Sequence, residues 1–185
     1  MKKRITIIIM AFIILFMGAG CRGDVAKAVR RLYGKEVDLN WEKECFTYDS
    51  ILNDCSFTPI KIVSFVERGL CGSCFANYVK AASNYMNIIN NDSVMYVCVI
   101  QNGKSYTQGD SLRGMTTPRV KVVLDVNNSS LKRNSIEEIP SIIATFLLDS
   151  NNRIAVIGDP LRSPKIKELY DEMIKQLLTN NGIMQ

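Results

Sequence analysis

The sequence predicts an α/β fold: a central mixed sheet with a parallel βαβ unit, a late antiparallel hairpin, and flanking helices. Three observations predict it. Two short β-branched apolar runs, Ile60–Val66 and Val94–Ile100, bracket a stretch of helical periodicity, and strands that alternate with a helix imply a parallel crossover. Two further apolar runs, Ala144–Leu148 and Arg153–Ile157, are joined by Asp149-Ser150-Asn151-Asn152, which is hairpin chemistry. Ser163-Pro164 then opens a terminal amphipathic segment with a capping residue followed by proline at the first helical position.

The elements follow in order. Asp24–Tyr33 alternates charged and apolar residues at helical spacing and stops at Gly34, and Lys35–Leu39 suits a short strand. Ile60–Val66, bounded by Pro59 and Gly69, reads as a buried strand. Phe75, Val79, Ala82, Met86 and Ile89 recur at spacings of four and three and form one apolar helix face that ends near Asn90-Asn91-Asp92. Val94–Ile100 is a second buried strand carrying Cys98 as a packed, inert thiol. Gln101–Pro118 is a long polar loop, Arg119–Val126 a third strand, and Asn127–Ile139 a loop with one helical turn. In the last helix Ile166, Leu169, Tyr170, Met173, Ile174, Leu177 and Leu178 form the buried stripe, and Asn180–Gln185 is expected to fray.

The N-terminus has a separate logic. Met1-Lys2-Lys3-Arg4 is basic, Ile5–Met17 is apolar apart from Thr6, and Gly18-Ala19-Gly20 precede Cys21. That is the pattern of a secretory leader. The apolar run is short of the roughly 20 residues that span a bilayer. Small residues ending at a cysteine resemble the lipobox of bacterial lipoproteins, with Met17 where leucine is usual. The resemblance implies cleavage after residue 20, acylation of Cys21 and a lipid anchor. An ordinary cleavable leader with Cys21 incidental is the plainer alternative. The expected organisation is a leader over 1–20, an N-terminal extension over 21–58, and the α/β domain over 59–180.

Composition narrows the chemistry. The 185 residues include six cysteines and no histidine. Without histidine there is no Cys–His nucleophile pair, no Ser–His–Asp triad and no imidazole metal ligand. Thiol exchange survives that exclusion, because it needs only an attacking thiolate and a leaving one. Losing Lys2, Lys3 and Arg4 with the leader lowers the formal charge from +5 to +2. No basic stripe with interleaved aromatics appears, so nucleic acid is not expected as a partner. Beyond the leader the chain enters a compartment where disulfides persist. With Cys21 acylated, Cys45, Cys55, Cys71, Cys74 and Cys98 remain, an odd number that leaves at least one unpaired within the chain.

Cys71 and Cys74 form a Cys-x-x-Cys at the predicted strand-to-helix junction. At a helix N-terminus unpaired N–H groups and the positive end of the dipole favour thiolate. They lower a thiol pKa from about 8.5 into the range of roughly 3.5–7.5. Arg68 adds positive charge nearby. Cys71 is then the nucleophile, and Cys74, one turn later, resolves the mixed disulfide. A zinc half-site would need a second ligand pair, and the sequence has no second Cys-x-x-Cys. A structural staple closing so short a loop removes little chain entropy. Cys45 and Cys55 flank the segment Phe46–Asp54. A disulfide between them is one reading and buried free thiols the other, since spacing does not fix connectivity.

The residues KIVSFVERGLCGSCF across the pair, VMYVCVI as the next strand, and TFLLDSNNRIAVIGDP followed by SPKIKELY resemble the thioredoxin superfamily. More specifically, they resemble the extracytoplasmic thioredoxin-like lipoproteins of Bacteroidetes-type bacteria. The similarity runs from about Gly34 to Leu178. It implies a thioredoxin-like fold and a thiol–disulfide oxidoreductase of the cell envelope, facing the periplasm or on the outer membrane. Its partners would be exported protein thiols or disulfides and a redox partner that recycles the pair, with no organic cofactor and no metal. It also implies a cis-proline before the late hairpin. The pattern puts that position at Ile143, and Pro140 is the proline available nearby. Thioredoxin carries a buried acid six residues before the first cysteine, where this chain has Phe65. Leu70 replaces the usual tryptophan, and Gly72-Ser73 lack the usual proline. These departures sustain the alternative of a redox-inactive thioredoxin-like binding or accessory module of an envelope assembly.

Overall fold

The structure is a computed structural model. It describes residues 22–39, 45–46, 58–66, 72–101, 117–125, 129–136, 139 and 144–184. Among the described residues, six strands form one sheet in the order β1-β4-β3-β2-β5-β6. They are β1 (Cys45–Phe46), β2 (Ile60–Val66), β3 (Val94–Gln101), β4 (Val120–Asp125), β5 (Thr145–Leu148) and β6 (Ile154–Ile157). Among the described residues the helices are α1 (Arg22–Leu32), α2 (Gly72–Ile89), the five-residue α3 (Ser129–Arg133) and α4 (Pro164–Thr179).

β2 is the pivot, and all seven of its residues are buried. It pairs in parallel with β3, Ile60 opposite Val94 through Val66 opposite Ile100. On its other side it pairs antiparallel with β5, Lys61 opposite Leu148 and Ser64 opposite Thr145. β3 and β4 are also parallel, and β5 turns back on β6. The βαβ unit is therefore β2-α2-β3 and the hairpin is β5-β6, as the hydrophobic patterning predicts.

Alternation along β2 separates two cores. Ile60, Ile62 and Val66 pack with Phe75, Val79, Ala82 and Met86 of α2 and with Tyr170, Ile174 and Leu177 of α4. Val63 and Phe65 pack on the opposite face with Val25 and Leu32 of α1 and Ile136 after α3. Burying each large side chain of the α2 stripe contributes on the order of 2 kcal/mol. The spacing of that stripe, more than local propensity, fixes α2 on the sheet.

Three findings depart from the sequence reading. The stretch after α1 is no strand but an isolated bridge, Glu36 with Arg153. Gly34, at φ +74°, turns the chain out of α1. The segment then runs along β6, with Gly34 N–H donating to the Ile154 carbonyl at 2.9 Å, Ile154 N–H to that of Lys35 at 3.0 Å, and Val37 N–H to that of Asn152 at 2.9 Å. It covers the outer edge of the hairpin, which would otherwise present unpaired backbone groups. The two-residue β1, which pairs Cys45 with Val123 and Phe46 with Val122, is too short to leave a hydrophobic pattern. The residues after α4, expected to fray, are pinned instead. Asn181 and Gly182 take positive φ and wrap the helix end. Gly182 accepts from Ser150 N–H at 2.8 Å, and Met184 N–H reaches the Asp149 carboxylate at 3.2 Å.

Candidate functional site

β2 ends at Val66, and α2, which begins at Gly72, is the helix that follows this central strand. Cys74 occupies the first turn of α2 and is exposed. It stands among the N–H groups that α2 leaves without intrahelical partners, at the positive end of the helix. Cys71, the nucleophile of the sequence reading, lies outside the described residues, as do Arg68, Pro140, Ile143, Cys21 and Cys55. Cys45 has its backbone in β1, and its side chain is likewise outside them. The cis-proline expectation at Pro140 and the Cys45–Cys55 pairing therefore fall on residues that are not described.

Cys98 is a different thiol. It is fully buried in β3, between Ser64 of β2 and Val122 of β4. Burial, with a smaller contribution from Asp159, pushes its pKa far above that of an ordinary thiol. It stays protonated and unreactive, as the apolar run around it predicts. Among the described residues no group of three or more cysteines and carboxylates is arranged to hold a metal ion.

Beneath the first turns of α2 lies a polar cluster that sequence reasoning does not anticipate. Tyr78 follows Cys74 by one helical turn on the same side of α2, and helical side chains lean toward the N-terminus. The Tyr78 hydroxyl sits 2.7 Å from Ser64 Oγ, 2.8 Å from Tyr96 Oη and 3.2 Å from Asp159 Oδ2. Ser64 Oγ lies 2.9 Å from Thr145 Oγ1. One cluster thus joins α2, β2, β3, β5 and the turn after β6.

Counting protons gives the cluster a direction. Asp159, when ionised, only accepts, so Tyr78 donates to it. Tyr78 has then spent its one proton and accepts from both Tyr96 and Ser64. Ser64 in turn accepts from Thr145. Every hydroxyl dipole points toward one carboxylate. Burial raises the pKa of Tyr78, as do the negative charge of Asp159 and, to a smaller extent, Cys98, so the phenol keeps its proton throughout the physiological range.

The Asp159 side chain is only 6% exposed. Leu161 N–H donates to Oδ1 at 2.9 Å, and Arg162 Nε lies 3.3 Å from Oδ2. Burial outweighs these partners and raises the carboxyl pKa above its ordinary value. Phe65, at the position where thioredoxin carries its acid, belongs to the α1 side of the sheet and packs edge-on against Phe146 at 6.0 Å. The acid at this end of the α2 core comes instead from the turn after β6. The signal in the sequence is the run IAVIGDP, where an aspartate directly follows a buried strand and glycine. Nothing local in that run reveals Tyr78 as its partner.

No protein-family profile matches the sequence, and no curated protein matches it. Solved structures do resemble it. The C-terminal domain of a Bacteroides thetaiotaomicron protein designated a thiol-disulfide oxidoreductase aligns over 78% of this chain and 97% of its own, at 16% identity and a TM-score of 0.48. A Chlorobium tepidum protein designated the thiol:disulfide interchange protein DsbE aligns over 64% of this chain and 79% of its own, at 15% identity and a TM-score of 0.47. A thioredoxin-like protein from Bacteroides caccae aligns over 82% of this chain and 53% of its own, at 10% identity and a TM-score of 0.49. It is the strand order, the parallel crossover and the late hairpin of this chain itself that make its fold thioredoxin-like.

Proposed function

We propose that this thioredoxin-like chain is a lipid-anchored thiol–disulfide oxidoreductase of the bacterial cell envelope, acting on exported proteins through Cys71 and Cys74. The observation that carries the proposal is the contrast between two cysteines. Cys74 is exposed in the first turn of α2 at the end of the central strand, whereas Cys98 is sealed in the sheet.

In the reducing direction the Cys71 thiolate attacks a substrate disulfide, forming a mixed disulfide and releasing the substrate's first sulfur as thiolate. Cys74, deprotonated, then attacks the Cys71 sulfur. The Cys71–Cys74 disulfide forms and the second substrate thiolate leaves. The substrate gains two electrons and the pair loses two, and both substrate thiolates take protons. A dithiol partner restores the pair by the reverse exchange. The oxidising direction runs the same steps backwards.

The test combines two measurements on the full chain: the reduction potential of the Cys71–Cys74 couple, and trapping of partners by Cys74→Ser. The expected result is a defined two-electron couple, with mixed disulfides that accumulate in Cys74→Ser and vanish when Cys71 is also replaced. A pair that neither titrates against glutathione nor traps any partner would replace this reading with that of a binding or accessory module. The site of Phe65, where an acid is usual, is the observation that favours that second reading.

A further inference from the structure

We propose that the outward face of α1 docks on anionic phospholipid headgroups, holding the sheet parallel to the bilayer with α2 and its cysteine turned away from the membrane. This rests on the acylation of Cys21 proposed above, not on the thiol chemistry.

α1 begins at Arg22, the residue after Cys21, so no linker separates the anchor from the helix. Adjacent Cα atoms are only about 3.8 Å apart. Nor is α1 free to swing. Val25 and Leu32 are buried, Ala28 and Val29 pack beside them, and all four join the core of Val63, Phe65 and Phe146. The chain that follows is bonded to β6. Acyl chains in the bilayer therefore hold a whole folded body, not a tethered one.

The other side of α1 is basic. Lys27, Arg30 and Arg31 are exposed and share the face opposite the buried stripe. Asp24 is the acid of the first turn. Lys132 of α3 is exposed on the same layer, and α3 is tied to the chain after α1 by the bond from Lys35 Nζ to the Asn134 carbonyl. Arg133 is matched by Asp38 at 3.0 Å and adds nothing to the patch.

An exposed basic face is ordinarily just solvated. Here the position of the anchor decides otherwise. With α1 upright, a rise of 1.5 Å per residue would lift Arg30 and Arg31 roughly 13–15 Å from the anchor, beyond a Debye length of about 8–10 Å. With α1 flat, all three cations lie within that distance of the headgroups, where each is attracted to anionic lipid. The charge therefore selects the flat orientation. In it the sheet separates the bilayer from α2, because α1 and α2 pack on opposite faces of β2. Cys74 then faces soluble exported proteins and not membrane-embedded ones.

The experiment uses the purified acylated chain in vesicles of phosphatidylcholine alone or mixed with phosphatidylglycerol, footprinted with an amine-reactive reagent. Lys80, exposed on α2, is the internal standard for Lys27. The ratio of Lys27 to Lys80 labelling is expected to fall several-fold with phosphatidylglycerol. It should return to the phosphatidylcholine value in high salt and in Arg30→Glu/Arg31→Glu. Equal ratios in both vesicles, with an acylated N-terminal peptide by mass, overturn the docking alone. An unacylated peptide overturns the anchor and the docking with it. Protection of Lys27 that ignores lipid and grows with protein density identifies a second copy as the occupant and also overturns the proposal.

Discussion

Cys74 and Cys98 carry the same functional group into opposite environments, and their reactivities follow from that. In the reduced native chain, iodoacetamide is expected to modify Cys74 and its partner in the motif, with Cys71 faster. Cys98 should react only after denaturation, and peptide mass mapping with and without urea reads both. Asp159 carries a second expectation at this scale. Its folded pKa is raised, so between the ordinary carboxylate pKa and the raised one the folded state holds a proton that the unfolded state has lost. Stability then falls as pH rises through that window. Asp159→Asn should flatten the fall, as read by urea unfolding at a series of acidic pH values. Cys98 is legible in the sequence because its neighbours announce a buried strand. The Asp159–Tyr78 pairing is not, because it joins a turn to a helix far away in the chain, and only the fold brings them together.

Among the elements, β2, β3, α2 and α4 are legible because each buries a regular stripe, and burial imposes a period. Ser163 caps α4 as its sequence predicts, with extended backbone and its side chain accepting from Ile166 N–H. What the pattern does not reveal is the hydrogen bonding that holds an element in place, as for the one helical turn it does predict after β4, seen as α3. Asp125, 1% exposed at the end of β4, is the clearest case. Its carboxylate accepts from Ser129 N–H at 2.8 Å, Ser129 Oγ at 3.1 Å and Ser130 N–H at 3.0 Å, and from the Ser130 hydroxyl as well. It organises α3, which is too short to persist unaided. Asp125→Ala leaves those donors unmatched and is expected to cost about 1–3 kcal/mol. Urea denaturation should show a lowered midpoint with an unchanged slope. Asn134 continues the tie, exchanging bonds of 2.7 and 3.0 Å with the backbone of Asp38.

For the molecule as a whole, the prediction concerns where it resides. Cys21→Ser should release the chain into the soluble fraction or leave an uncleaved precursor in the membrane. Fractionation with N-terminal peptide analysis distinguishes these, and normal processing with unchanged membrane association would end the anchoring proposal. The cysteine motif is legible from a few adjacent residues. The role of the segment around α1 is not, because its apolar residues meet strands from the other end of the chain.

That last contact sets an order of events. A polypeptide emerges N-terminus first, so α1 appears before any surface it can bury. At eleven residues it is below the length at which an isolated helix holds in water. Its partners include Phe146 and Ile154 of the final hairpin, and the clip from Gly34 to Val37 closes on that same hairpin. This helix, ahead of the sheet in the chain, is therefore among the last pieces to lock. Pulse-labelled hydrogen exchange during refolding should find its amides protected only once those of β5 and β6 are.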